Sequence, residues 1–196
     1  MEFECTREEF EAMQSHFFPG DSKGKELDQD ALTLVLVVLG VKRGGVVHDH
    51  GTENFEEALR ESGLYYRTPP TEVEREFPLE GFEYLISREK QRLEMVEESY
   101  SDRSGFRRHL GLFCGYPSED VEWYVQEGNG EWVDWREKPE LKEIATFAFY
   151  RPKPQEENLE RARERMERNR QALKEMDERF GTDLGDRLLK SLESTL

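Results

Sequence analysis

Residues 109–125 read HLGLFCGYPSEDVEWYV, and two helices and the turn that joins them are spelled out in this one stretch. Leu110, Phe113 and Cys114 form the apolar face of a first helix. Gly115 can take the left-handed conformation that ends a helix, and Pro117 cannot continue one. Ser118 is then expected as the N-cap of a second helix. Glu119 and Asp120 fall in its first turn, where carboxylates meet the positive end of the helix dipole. Val121, Tyr124 and Val125 supply the inward face. The plainest reading of the segment is a helix-turn-helix corner. A second reading makes the same corner a small-ligand site lined by Gly115, Tyr116, Glu119, Asp120 and Trp123.

Working outward, residues 1–29 form a polar lead-in with one short helix. Phe3, Phe10, Met13 and Phe17 give that helix an apolar stripe, and Pro19-Gly20-Asp21 stops it. Asp30 to Leu39 is ambiguous: its β-branched residues suit a buried strand, while its length and the following Gly40 suit a buried helix. Val46 and Val47 begin a strand after a Gly44-Gly45 turn. Thr52 is placed to cap a helix over Glu53–Glu61, which Ser62-Gly63 ends. Residues 67–80, with three prolines and alternating charge, read as a surface loop.

Phe82, Tyr84 and Ile86 alternate as a strand does, and the period turns helical at Leu93, Val96 and Tyr100. Beyond the corner, Glu127-Gly128-Asn129-Gly130 reads as a turn and Trp132–Trp135 as a strand. Pro139 starts a helix with Leu141, Ile144, Ala145 and Ala148 on one face. The β-branched and aromatic residues of Ile144–Tyr150 leave strand open there too. The pattern predicts a mixed α/β fold that is mostly helical. Its small sheet, of about three strands, is flanked by helices, and a long helix follows at the C-terminus.

Gly111 to Val121, G-L-F-C-G-Y-P-S-E-D-V, resembles the G-[LI]-F-L-G-Y-P-x-E-D-V signature of a family of bacterial proteins known mainly from anaerobes. Leu39-Gly40-Val41-Lys42 with Val46-Val47 is similar to that family's L-x-G-x-K-P-x-x-L-V element. Tyr84-Leu85-Ile86-Ser87-Arg88 is similar to its V-L-V-Y-R strand, and Trp132–Trp135 to its W-K-V-Y strand. Two positions depart: the family's His-Glu pair before the signature is Arg108-His109, and its Pro after the early Lys is Arg43. The resemblance implies a helix over Asp30–Leu39. It carries no activity with it.

Pro152-Lys153-Pro154 breaks the chain, and Gln155 or Asn158 opens a helix that runs to Gly181. This predicts two parts, an acidic globular domain over 1–151 and a helical extension over 152–196. Leu159, Ala162, Met166, Asn169, Leu173, Met176 and Phe180 recur at three- and four-residue steps, the spacing of a coiled-coil seam. Leu159, Met166, Asn169, Leu173, Met176 and Phe180 are therefore candidate interface residues for a homodimer or another protein, with Asn169 setting register. The alternative is an amphipathic helix folded back on its own chain. Leu184, Leu188, Leu189 and Leu192 make a second short helix that would clasp the first.

The chain of 196 residues holds 44 acidic and 28 basic side chains, a net charge of −16, which disfavours nucleic acid and anionic membranes as partners. No apolar run reaches the roughly 18 residues of a membrane span. The acidic N-terminus lacks the pattern of a secretion signal, so a cytoplasmic location is expected. Of 28 basic residues, 19 are Arg and 9 Lys, and the acidic surface suits a halophile's salt-rich cytoplasm. The two cysteines, Cys5 and Cys114, suggest buried thiols rather than a disulfide.

For chemistry the best candidate is His48-Asp49-His50 with Glu53. An H-x-H in an extended chain aims both rings to one side, as metal-dependent hydrolases require. Such enzymes need further ligands, and His16 and His109 do not stand in ligand-rich settings. A solvated turn is the alternative. No phosphate loop, nucleophile elbow or CxxC pair is present, so no metal and no cofactor is expected. Three functions stay in play: a non-enzymatic protein acting through protein contacts, a small-ligand binder at the corner, and a metal hydrolase at His48 and His50.

Overall fold

A computed structural model describes residues 2–19, 27–49, 51–69, 84–99, 103–127, 139–149, 152–153 and 155–196. Among these, nine helices accompany one three-stranded antiparallel sheet, a mostly helical mixed α/β fold with a long helix near its C-terminus. The chain divides into two compact units. One consists of Glu2–Glu26 and Asp30–Gly115, the other of Tyr116–Leu196 with Leu27–Gln29. The division falls at Gly115/Tyr116.

In the first unit, α1 (Arg7–Phe17) opens with a capping box. Thr6 Oγ1 accepts from the Glu9 N–H at 3.2 Å, and Glu9 Oε2 accepts from the Thr6 N–H at 2.9 Å. Phe10, Met13 and Phe17 face inward as the stripe predicts. The ambiguous segment is helix: α2 spans Gln29–Val38, and Leu32 to Val38 are all buried, which is why no amphipathic period shows in its sequence. Gly40, at φ +77°, follows its end.

β1 (Gly44–Val47) starts two residues earlier than its valines suggest, because Gly44 and Gly45 belong to the strand. A Cβ on Gly45 would lie 2.2 Å from Thr33 Cγ2 of α2, so only glycine lets helix and strand approach this closely. Thr52 caps nothing. Asp49 Oδ1 instead accepts from the N–H groups of Gly51 and Thr52, both at 2.8 Å, and α3 (Phe55–Glu61) begins after Asn54 at φ 53°. As expected, α3 stops at Ser62, and Gly63 sits at φ +74°.

The sheet order is β1-β3-β2, with β2 (Tyr65–Arg67) and β1 both antiparallel to the central β3 (Tyr84–Ser87). Leu85, Ile86 and Ser87 are buried. β2 occupies the first residue of the segment expected as loop. Most of that segment, together with Phe82, Tyr100, Gly128–Gly130, Trp132–Trp135 and Tyr150, lies outside the described residues. Two further helices, α4 (Lys90–Glu97) and α5 (Arg103–Phe113), complete the unit.

The second unit holds α6 (Ser118–Glu127), α7 (Pro139–Ala148), α8 (Glu156–Phe180) and α9 (Leu184–Glu193). Ile144 to Ala148 is helix, with Ile144, Phe147 and Ala148 buried. α8 packs along both α7 and α9. Its reversal into α9 is tightly made: Gly181 takes φ 69°, and Asp177 accepts from the N–H groups of Gly185 and Asp186, each at 2.9 Å. Asp177 thus does for α9 what an N-cap side chain ordinarily does, while the N-cap residue itself, Asp183, makes no side-chain cap bond.

Candidate functional site

At the end of α5, Gly115 sits at φ +76° and its N–H donates to the Leu112 carbonyl at 2.9 Å, as its sequence context predicts. Gly115 belongs to the first unit, and Tyr116, Glu119, Asp120 and Trp123 belong to the second. The Pro117 carbonyl accepts from Asp120 N (3.1 Å) and Val121 N (3.0 Å). Pro117 therefore stands at the N-cap position, and Ser118, expected there, is the first helical residue and exposed. The cyclic residue satisfies the cap because only its carbonyl is needed.

The polar side chains of the corner are committed within their own unit. Asp120 is 2% exposed, and its Oδ1 accepts from the Lys153 N–H at 2.8 Å and the Asn158 amide at 2.6 Å. Glu119 receives Arg161 Nη2 at 2.9 Å, a hydrogen bond that raises the guanidinium's pKa above its ordinary value. Tyr116 lies under Arg165, with the guanidinium carbon 5.5 Å from the ring centroid. These contacts fasten the start of α6 to the first turns of α8. Trp123 is half-buried, and Tyr124, read as inward-facing, is 41% exposed. Asp120 Oδ2 and Arg161 Nε are buried without a hydrogen-bond partner among the described residues.

Along α8, Met166, Asn169, Leu173 and Met176 are buried inside the chain, and Leu159 and Phe180 are half-buried. Asn169 Nδ2 donates to the Phe147 carbonyl at 2.7 Å, in the last turn of α7. Beside it Arg170 stacks on the Phe147 ring at 4.4 Å and pairs with Glu143 (2.7 Å) and Glu193 (3.2 Å). The seam is therefore filled by this chain's own α7 and α9.

His48 follows β1, and its Nδ1 pairs with Asp30 Oδ2 in the first turn of α2, while its backbone N–H donates to the same oxygen at 3.1 Å. Asp49 closes the adjacent turn, Glu53 is exposed, and His50 lies outside the described residues. His16 Nε2 meets Glu61 Oε2 at 2.6 Å, joining α1 to α3. His109 Nδ1 contacts the Gly105 carbonyl at 2.7 Å on its own helix. Among the described residues, no three His, Cys, Asp or Glu side chains are grouped to hold a metal ion. No helix among them is long and apolar enough to cross a membrane.

Sequence reasoning missed Asp30 as the partner of His48, since eighteen residues separate them and no spacing rule links a helix start to a strand end. It also left unread the burial of Lys42, which is 4% exposed beside Gly45. Compared with protein-family models, with curated proteins and with solved structures, the chain matches none.

Proposed function

We propose that this chain acts through contacts with other proteins rather than by catalysis. The observation that carries the reading is the fate of Asp120. The carboxylate best placed for a ligand at the corner is buried and bound to Lys153 and Asn158, with Glu119 and Tyr116 engaged beside it. On this reading the Gly111–Val121 signature is a folding motif, and proteins sharing it share the corner rather than an activity. What remains to meet other molecules is an outer surface with a net charge of −16. Such a surface favours a partner of opposite sign. The α8 seam is engaged inside the chain, so a homodimer formed by the C-terminal helix would have to use its outer face.

Gel filtration of fresh lysate at the salt concentration of the host cytoplasm tests this. The chain is expected to elute well above its own 23.2 kDa. Elution as a free monomer removes the reading. Repeating the run with purified chain at several concentrations separates a second copy from a different partner.

The same charge supports a cytoplasmic, halophilic setting. Repulsion among the excess carboxylates acts over about 30 Å at 0.01 M salt and about 3 Å at 1 M. The melting temperature is expected to climb with potassium chloride and to keep rising above physiological salt. A flat curve removes the halophile assignment.

One observation favours a second reading, a metal-dependent hydrolase at His48 and His50. An imidazole held at Nδ1 by a carboxylate is oriented the way metal-ligating histidines commonly are. Metal analysis tests it: one equivalent of zinc, manganese or iron, lost in His48→Ala, would overturn the non-enzymatic reading.

A further inference from the structure

We draw no further inference here: the strongest candidate, the buried Asp120 Oδ2 beside Arg161 at the start of α6, belongs to the fastening between α6 and α8 already described, and nothing around it shows what group it would hold.

Discussion

Asp120 and Asp177 do the same work in the same unit by different routes. Each carboxylate accepts two hydrogen bonds and fixes where a helix begins. The partners of Asp177 lie eight and nine residues ahead, across a single turn. Those of Asp120 lie 33 and 38 residues ahead, on another element. The near pair leaves a trace in the sequence, because Gly181 and Gly185 must stand where the chain reverses. The distant pair leaves none, and an aspartate among Tyr116, Glu119 and Trp123 then resembles a ligand site. A cluster of polar and aromatic residues thus shows that a surface will be met, without showing whether a ligand or the chain itself meets it.

The largest expected effect strikes the local side of this comparison. A Cβ on Gly185 would lie 2.4 Å from the Leu173 carbonyl oxygen, a backbone atom that cannot turn aside. Gly185→Val should cost about 3 kcal/mol or more in urea unfolding, since α9 must lift from α8. Parent-like stability would mean that the two helices do not approach this closely.

The distant side comes next. Asp120→Ala leaves the half-buried Lys153 N–H and the buried Asn158 amide without their acceptor, and about 2–3 kcal/mol should be lost. Asp120→Asn retains one acceptor oxygen and should recover part of it. If Asp120→Ala unfolds within about 0.5 kcal/mol of the parent, the residue is not a fastener and the ligand reading of the corner revives.

A pH experiment sharpens the contrast. Burial, reinforced by Asp183 and Asp186, holds the Asp177 carboxyl above its ordinary pKa, against the opposing pull of the Gly185 and Asp186 N–H groups. The folded chain therefore binds this proton more tightly than the unfolded chain does. The stabilisation from that proton is complete below the unfolded pKa and is lost as pH rises through the folded one. From neutral pH down to about pH 4, the parent should gain melting temperature relative to Asp177→Asn. A constant gap across that range would detach Asp177 from the pH response.

The smallest effect concerns Ser118. As the first helical residue rather than the cap, its hydroxyl bears no capping load, and Ser118→Ala should change stability by less than about 0.5 kcal/mol. A loss near 1 kcal/mol, the usual worth of an N-cap side chain, would restore the capping role.

Elements closed by their own neighbours were legible. The stripe of α1, the helix stop at Gly115 and the α8–α9 reversal all follow from residues within a turn or two of one another, whereas β3 is a strand without a polar face, Leu85, Ile86 and Ser87 all being buried. The type of α2 was harder, because burial on every side erases the period that separates helix from strand. β2 escaped notice because three residues cannot display alternation, and its pairing with β3 is long-range. Thr52 and Ser118 misled for one shared reason: each has the right side chain for a cap, but a neighbouring group, Asp49 or the Pro117 carbonyl, takes over the local hydrogen bonding. That Asp30, Asn158 and Arg161 serve as partners was not legible for the reason that hid the pairing of Asp120: each contact joins residues far apart in the chain.

Asn169 has one further consequence, in time rather than in energy. The end of a helix ordinarily frays, its last amides exchanging with solvent through small openings that leave the rest of the protein untouched. The last turn of α7 is held at the Phe147 carbonyl by an amide 3% exposed in the packed face of α8. That turn cannot loosen without drawing Asn169 out of its packing. Hydrogen exchange in the last turn of α7 should therefore keep pace with the slow amides of the middle of α8, the two helices opening together.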